Sequence, residues 1–129
     1  MPSIGLFNPE DIVSRNKNDC WTIALMYALG KTYEDIRALF KPFISKDGSL
    51  RGGFVTGILT ENGYKFMEFT DIFTVKEAIA ILDSASNHLV IMTKGHTFYV
   101  SHKIIYDSMT LEQLAKKHVL TVFFKEKHK

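Results

Sequence analysis

Apolar residues recur along the chain at helical spacing, and turn residues divide them into short elements. A first helix is predicted between the N-cap candidates Asn18 and Asp19 and Gly30, a residue typical of the position just past a helix end. A second helix is predicted to start after the cap residue Thr32 and to stop at Pro42. Further helical patterns occupy residues 54–61 and 110–113, and another starts at residue 74 and ends near residues 83–87.

Alternating apolar and polar residues predict strands, mostly in the second half of the chain. An aromatic-rich segment at residues 64–69 is the first, and we expect its aromatic side chains in the core. Four more strands are predicted at residues 89–93, 96–101, 103–107 and 119–124. Tight turns at Lys94-Gly95 and His102-Lys103 join the strands at 89–93, 96–101 and 103–107 into an antiparallel meander. Residues 45–53, rich in Gly, Asp and Ser, predict an exposed loop, a common place for substrate contacts.

Composition limits what such a chain can be. With 129 residues, 46% of them hydrophobic, it is predicted to form one domain with one core. The net charge of +2 and the scattered basic residues give no reason to expect a nucleic-acid partner. No apolar run is long enough to span a membrane, and residues 1–10 lack the pattern of an export signal, so we expect a cytoplasmic protein. The sequence contains no signal for an oligomeric state.

Cys20 is the only cysteine, and it lies in the first turn of the first predicted helix. Unpaired backbone N–H groups and the positive end of the helix dipole favour a thiolate at such a position. A lone cysteine is nevertheless more often a small buried apolar residue than a nucleophile. Whether Cys20 is catalytic therefore depends on finding a base for it elsewhere in the chain.

The predicted meander supplies candidates for that base and for a group that orients it. If Ser101 pairs with Ile104 across a two-residue turn, Phe98 lies opposite Asp107, and His96 is the diagonal neighbour of Asp107 on the same sheet face. A carboxylate so placed can hold an imidazole by a hydrogen bond, as the third member of a nucleophile–base–orienter triad. The alternative is that His96 is an ordinary strand histidine and Asp107 a turn residue.

Three short motifs together resemble those of papain-like cysteine peptidases, and most closely those of small C39-like proteins encoded by phages and prophages. The motifs are Asp19-Cys20-Trp21 at a helix start, Lys94-Gly95-His96 at a strand start and Ile105-Tyr106-Asp107-Ser108 at the end of the next strand. The likeness extends from about residue 16 to residue 107.

This resemblance implies a papain-like α+β fold over residues 1–129, in which the Cys-bearing helix packs on an antiparallel sheet carrying the His and the Asp. It also implies a triad of Cys20, His96 and Asp107 that cleaves a peptide or isopeptide bond or transfers the acyl group to an amine. The implied substrate is a peptide or protein, with a host protein as one candidate. If a phage encodes the chain, the implied cellular location is the cytoplasm of the host cell. No cofactor is implied.

The chain departs from the papain-like pattern before the cysteine. Those enzymes usually carry a glutamine there that donates to the oxyanion, whereas this sequence offers Asn16 and Asn18. We therefore expect one of these amides to act with the Cys20 backbone N–H. Trp21 either shields the site from solvent or packs in the core.

Two other functions are compatible with the same residues. One is a peptidoglycan amidase of the CHAP or NlpC type, which shares the Cys–His chemistry but would need export or release from the cell. The other is a non-catalytic phage protein that keeps the fold to bind and inhibit a host protein, which the missing glutamine favours. A metal site is not predicted, because His88, His96 and His102 lack the spacing of a ligand pair.

Overall fold

Residues 18–70, 72–82, 86–102, 104–109 and 111–126 are described by the computed structural model. The helices in these segments are α1 (Cys20–Leu29), α2 (Tyr33–Phe40), α3 (Gly52–Glu61), α4 (Val75–Leu82) and α5 (Leu111–Ala115), with a 3-10 turn at Lys41–Phe43. The strands are β1 (Lys65–Glu68), β2 (Ser86–Thr93), β3 (His96–Ser101), β4 (Ile104–Tyr106) and β5 (Val119–Glu126). The predicted lead-in before Asn18, with Asn16, lies outside the described residues.

The strands form one antiparallel sheet in the order β1-β5-β2-β3-β4. Successive side chains point to opposite faces, so Leu89 and Ile91 face α4 and α5, whereas Val90 faces α1, α2 and α3. Helices therefore cover both faces, and each face carries its own apolar cluster. The expected α+β class, with an early helix packed on an antiparallel sheet, is confirmed.

Helix α1 is apolar on every side, which is the pattern of a helix surrounded by protein. Trp21, Ile23, Ala24 and Leu25 are all at most 3% exposed, and the helix lies against β3. Gly30 ends it in the left-handed conformation (φ 66°), with its N–H donating to Met26 O as a glycine C-cap does. This packing fixes the direction of α1 and hence the position of its first residue, Cys20.

The start of α1 differs from the prediction that an Asn18 or Asp19 side chain caps it. Asp19 is the N-cap residue, but its side chain makes no capping bond. Its Oδ2 instead accepts a 2.8 Å hydrogen bond from the Tyr33 hydroxyl, and both residues are buried. The side chain is turned toward α2 because the phenol there satisfies a carboxylate that would otherwise be buried at a high energetic cost.

Capping residues in the sequence correctly predicted where α2 and α4 begin. Thr32 Oγ1 accepts from Asp35 N at the start of α2, and Thr74 and Glu77 exchange hydrogen bonds as a capping box at the start of α4. The predicted register of the meander is confirmed, since Ser101 pairs with Ile104.

The expectation of buried aromatic residues at 64–69 is only partly correct. Tyr64 is buried, whereas Phe66 is 48% exposed. The reason is that β1 is an edge strand, and its side chains have a neighbouring strand on one side only. Among the described residues, the longest helices have ten residues, and none combines the length and apolarity needed to cross a bilayer.

The hydrogen bond between Tyr33 and Asp19 leads to a prediction about the free energy of unfolding. Tyr33→Phe removes a hydrogen bond to a buried carboxylate and should lower the free energy of unfolding by about 1.5–3 kcal/mol, measured by urea denaturation. Tyr64→Phe is the matched control, because the Tyr64 hydroxyl donates to the neutral Ala28 carbonyl; we expect about 0.5–1.5 kcal/mol there. Equal losses in the two variants would show that the hydrogen bond to Asp19 stabilises the fold no more than the hydrogen bond to the Ala28 carbonyl.

Candidate active site

Three chain segments meet at the end of the sheet where β2 turns into β3. Cys20 is the first residue of α1, His96 is the first residue of β3, and Asp107 directly follows β4. Gly95 completes the β2–β3 turn with φ 77°, a backbone conformation that favours glycine. The turn and the β3–β4 register thus place His96 and Asp107 side by side.

His96 and Asp107 form the contact that the register predicts. His96 Nε2 lies 2.8 Å from Asp107 Oδ2, and the carboxylate is fully buried while the imidazole side chain is 12% exposed. The same oxygen accepts a 2.9 Å hydrogen bond from Met109 N, so the chain segment that follows Asp107 also fixes the position of its carboxylate. Asp107 therefore fixes both the orientation of the ring and the tautomer that carries hydrogen on Nε2.

Cys20 and His96 line the same cleft, and the thiol is near enough to the ring for its interaction with the imidazole to raise the pKa of His96. Because Nε2 is engaged by Asp107, Nδ1 is the ring nitrogen that remains for the sulfur. Cys20 is half-buried and lies at the N-terminal end of α1, where the helix dipole favours negative charge. The structure therefore brings the three predicted residues together in the order thiol, imidazole, carboxylate.

The charge state of His96 is set by opposing effects. Burial of the ring lowers its pKa, because an environment of low polarity disfavours the imidazolium. The hydrogen bonds to Asp107 and Cys20, and the negative charge of both partners, outweigh burial and raise the pKa of His96 from 6.5 to about 9. An imidazolium is consequently the favoured form at neutral pH, and it is the form that can pair with a thiolate.

A cleft of about 380 Å³ opens next to the thiol, within the size range of small-molecule and peptide sites. Besides Cys20 and His96 it is lined by Asn18, Trp21, Asp47, Ser49, Leu50, Val55, Met92, Thr93, Gly95 and Thr97. Three of the lining residues come from the 45–50 loop, which lies within the segment where substrate contacts were expected. Met92, Thr93 and Thr97 were not anticipated, although their positions beside the Gly95 turn are a signal that could have found them.

The two tentative site residues that the structure describes both lie beside Cys20 and contact the 45–50 loop. Asn18 Nδ2 donates to Asp47 O at 2.8 Å, and Trp21 Nε1 donates to Gly48 O at 3.0 Å. Trp21 is 3% exposed and packs against Phe40, as the core interpretation expects, and it also lines the cleft. The third tentative residue, Asn16, lies outside the described residues.

The backbone offers one candidate donor for an oxyanion. Cys20 is the first residue of α1, and the first N–H groups of a helix have no intrahelical acceptor. The assignment of a second donor to an Asn side chain stays a prediction.

The other strand histidines have their own partners. His88 Nδ1 is hydrogen-bonded to the Tyr99 hydroxyl, and His102 Nδ1 to Ser101 Oγ, at the end of the sheet opposite the cleft. Within the part of the chain that the structure describes, no group of three or more His, Cys, Asp or Glu side chains is placed to hold a metal ion.

No family model, curated protein or solved structure matches this chain. Any function assigned to the cleft therefore has to be argued from side-chain geometry and chemistry.

The contact between the thiol and the ring can be tested by titrating His96. In Cys20→Ala, the ring loses a hydrogen bond and a neighbouring negative charge, so its pKa should fall below the wild-type value of about 9. The measurement is an NMR titration of the histidine ring protons. His88 is the internal control, because its lowered pKa arises from burial, His102 and Lys125, and should not change. An unaltered His96 pKa in the variant would contradict the contact.

Proposed function

We propose that the protein is a cysteine hydrolase or acyl transferase of papain-like fold, with Cys20 as nucleophile, His96 as base and Asp107 as the group that orients the base. The observation that carries this proposal is the position of His96, which lines one cleft together with Cys20 and lies 2.8 Å from Asp107 Oδ2 through its Nε2. The proposed substrate is a peptide or isopeptide bond in a peptide or protein.

In the reactive state that begins the first half of the reaction, the proton of Cys20 Sγ has already passed to His96 Nδ1, which leaves a thiolate beside the imidazolium. The thiolate attacks the carbonyl carbon, a C–S bond forms, and the carbonyl oxygen becomes an oxyanion. The Cys20 N–H donates a hydrogen bond to that oxygen. When the tetrahedral intermediate collapses, the C–N bond breaks and the imidazolium protonates the departing amine.

In the second half, a water molecule or an acceptor amine attacks the thioester. His96 takes a proton from this nucleophile, and then returns a proton to the sulfur as the C–S bond breaks. Hydrolysis releases an acid, and attack by an amine releases a new amide. Asp107 acts in both halves through the His96 Nε2–H, since a fixed ring keeps Nδ1 directed at the sulfur.

The arrangement of elements supports the papain-like part of the proposal. Cys20 lies at the start of a buried helix that packs on the sheet, whereas His96 and Asp107 lie on neighbouring antiparallel strands. This division of the three groups between a helix and a sheet is what the sequence resemblance implies.

One observation favours a second candidate, a binding protein without turnover. One N–H of the Asn18 amide, a proposed oxyanion donor, is used in a hydrogen bond to Asp47 O, so the amide is held against the 45–50 loop and has only its second N–H to offer an oxyanion. An active site with one oxyanion donor fewer loses on the order of a hundredfold or more in rate. A protein of this kind could retain the cleft to bind a partner.

Removal of the nucleophile separates the two candidates. If the protein is an enzyme, Cys20→Ala and Cys20→Ser should both lower turnover at least about a thousandfold, because a serine hydroxyl is a poor nucleophile for a base matched to sulfur. The measurement is cleavage of proteins or a peptide library, followed by mass spectrometry, with circular dichroism to verify the fold. A biological effect that survives fully in Cys20→Ala would instead support the binding protein.

The charge of Asp107 and its hydrogen bond to His96 can be tested separately in the same assay. Asp107→Asn retains an oxygen that can accept from both His96 Nε2 and Met109 N, so kcat/KM should fall less in this variant than in Asp107→Ala. Asp107→Ala removes the acceptor, and we expect a loss of at least about a hundredfold. Equal losses in the two variants would show that the charge of Asp107, and not its orienting bond, is what matters.

The raised pKa of His96 also predicts a pH profile. The imidazolium that protonates the leaving amine is present below about pH 9, so kcat/KM should decline as pH rises through about 9. In Asp107→Asn this decline should begin at lower pH, because a neutral amide stabilises the imidazolium less than a carboxylate does. A decline at the same pH in both proteins would exclude Asp107 as a cause of the raised pKa.

A further inference from the structure

The 45–50 loop is internally hydrogen-bonded. Ser45 N donates to Ser49 O and Gly48 N donates to Ser45 O, each at 2.9 Å. Asp47 Oδ1 accepts from both the backbone N and the hydroxyl of Ser49. With four bonds among six residues, the loop is a small rigid body that is expected to move as a unit.

The base of this loop is closed by aromatic stacking. Phe43 precedes the loop and Phe54 follows it, and their rings stack with centroids 4.5 Å apart. Both rings are at least 36% exposed, so they close the loop at the protein surface and not within the core. Leu50, at the end of the loop, packs against the apolar cluster that contains Trp21, so the contacts that remain to be found are those that hold the polar tip at residues 47 and 48.

Two side chains that flank Cys20 supply those contacts. Asn18 and Trp21 donate from their side-chain nitrogens to consecutive loop carbonyls, Asp47 O at 2.8 Å and Gly48 O at 3.0 Å. The segment that carries the nucleophile thus also holds the loop, which lines the cleft with Asp47, Ser49 and Leu50.

We propose that Asn18 and Trp21 are positioning residues that latch the 45–50 loop to the start of α1 and so set the width of the cleft at the Cys20 thiol. This inference rests on the proposed function, because it assigns Asn18 a role at the same site. It replaces the role of Asn18 as an oxyanion donor with control over which acyl groups can approach the sulfur. Bulky groups enter only when the latch opens.

The chain offers an unusually clean test of cleft width, because Cys20 is its only cysteine and Trp21 its only tryptophan. Thiol labelling therefore reports on Cys20 alone, and fluorescence on Trp21 alone. The variant is Asn18→Gly, since Asn18 has φ 55° and glycine adopts this conformation without strain. The matched control is Asn62→Gly, which removes a similar 2.8 Å bond, from Asn62 Nδ2 to Ile58 O, at the end of α3.

The first readout is the ratio of Cys20 labelling rates with bulky fluorescein maleimide and small iodoacetamide. We expect this ratio to rise about threefold to tenfold in Asn18→Gly, the change in population that loss of one hydrogen bond produces, and to stay at the wild-type value in Asn62→Gly. Trp21 should also become more accessible to acrylamide quenching in Asn18→Gly. A wild-type ratio together with wild-type quenching would overturn the latch.

Two further variants keep the test decisive. Asn18→Asp preserves shape and tolerance for positive φ but has no N–H to donate, and Trp21→Phe removes the other donor while keeping an aromatic ring. Both should raise the labelling ratio as Asn18→Gly does. A ratio that rises only with Asn18→Gly would assign the effect to backbone freedom and overturn the latch.

Kinetics distinguish the latch from the oxyanion role. A positioning residue should change KM for bulky acyl groups with kcat within about twofold, whereas loss of an oxyanion donor lowers kcat on all substrates. A uniform fall in kcat in Asn18→Gly would overturn the proposal. Since labelling and quenching need no turnover, they test the latch even if the wild-type protein proves inactive, and the failure of one proposal is thereby separated from the failure of the other.

Discussion

The burial of α1 against β3 is the contact on which the rest of the site depends. The helix has no polar face, so it is stable only when protein surrounds it, and that requirement fixes its axis relative to the sheet. The same burial brings Cys20 to the end of the sheet that carries His96. A thiol on a less constrained element would not meet an imidazole that is itself held by Asp107.

Two buried carboxylates have separate tasks around this helix. Asp19 accepts from the Tyr33 hydroxyl and connects the start of α1 to α2, whereas Asp107 accepts from His96 and controls the ring. The first contact is structural, and the second sets the protonation of a group that faces the cleft. A buried carboxylate is tolerated in either place because a donor meets it directly.

The features predicted best from sequence are those fixed by nearby residues. Gly30 and the Thr74–Glu77 capping box mark helix ends through contacts within one turn, and a two-residue turn determines which residues of β3 and β4 face each other. The contact of His96 with Asp107 follows from that register. The turning of Asp19 toward Tyr33, and the use of Asn18 to hold a loop 29 residues away, depend on distant packing that no local pattern encodes.

The order of the strands has a consequence for the timing of folding. β5 lies between β1 and β2, so β1 cannot join the sheet until this strand has been synthesised. Before then, the α1 face lacks Phe123 and the opposite face lacks Val122, and neither apolar cluster is complete. A chain synthesised only as far as β4 therefore already contains Cys20, His96 and Asp107, but the apolar clusters that hold their elements in place are still incomplete.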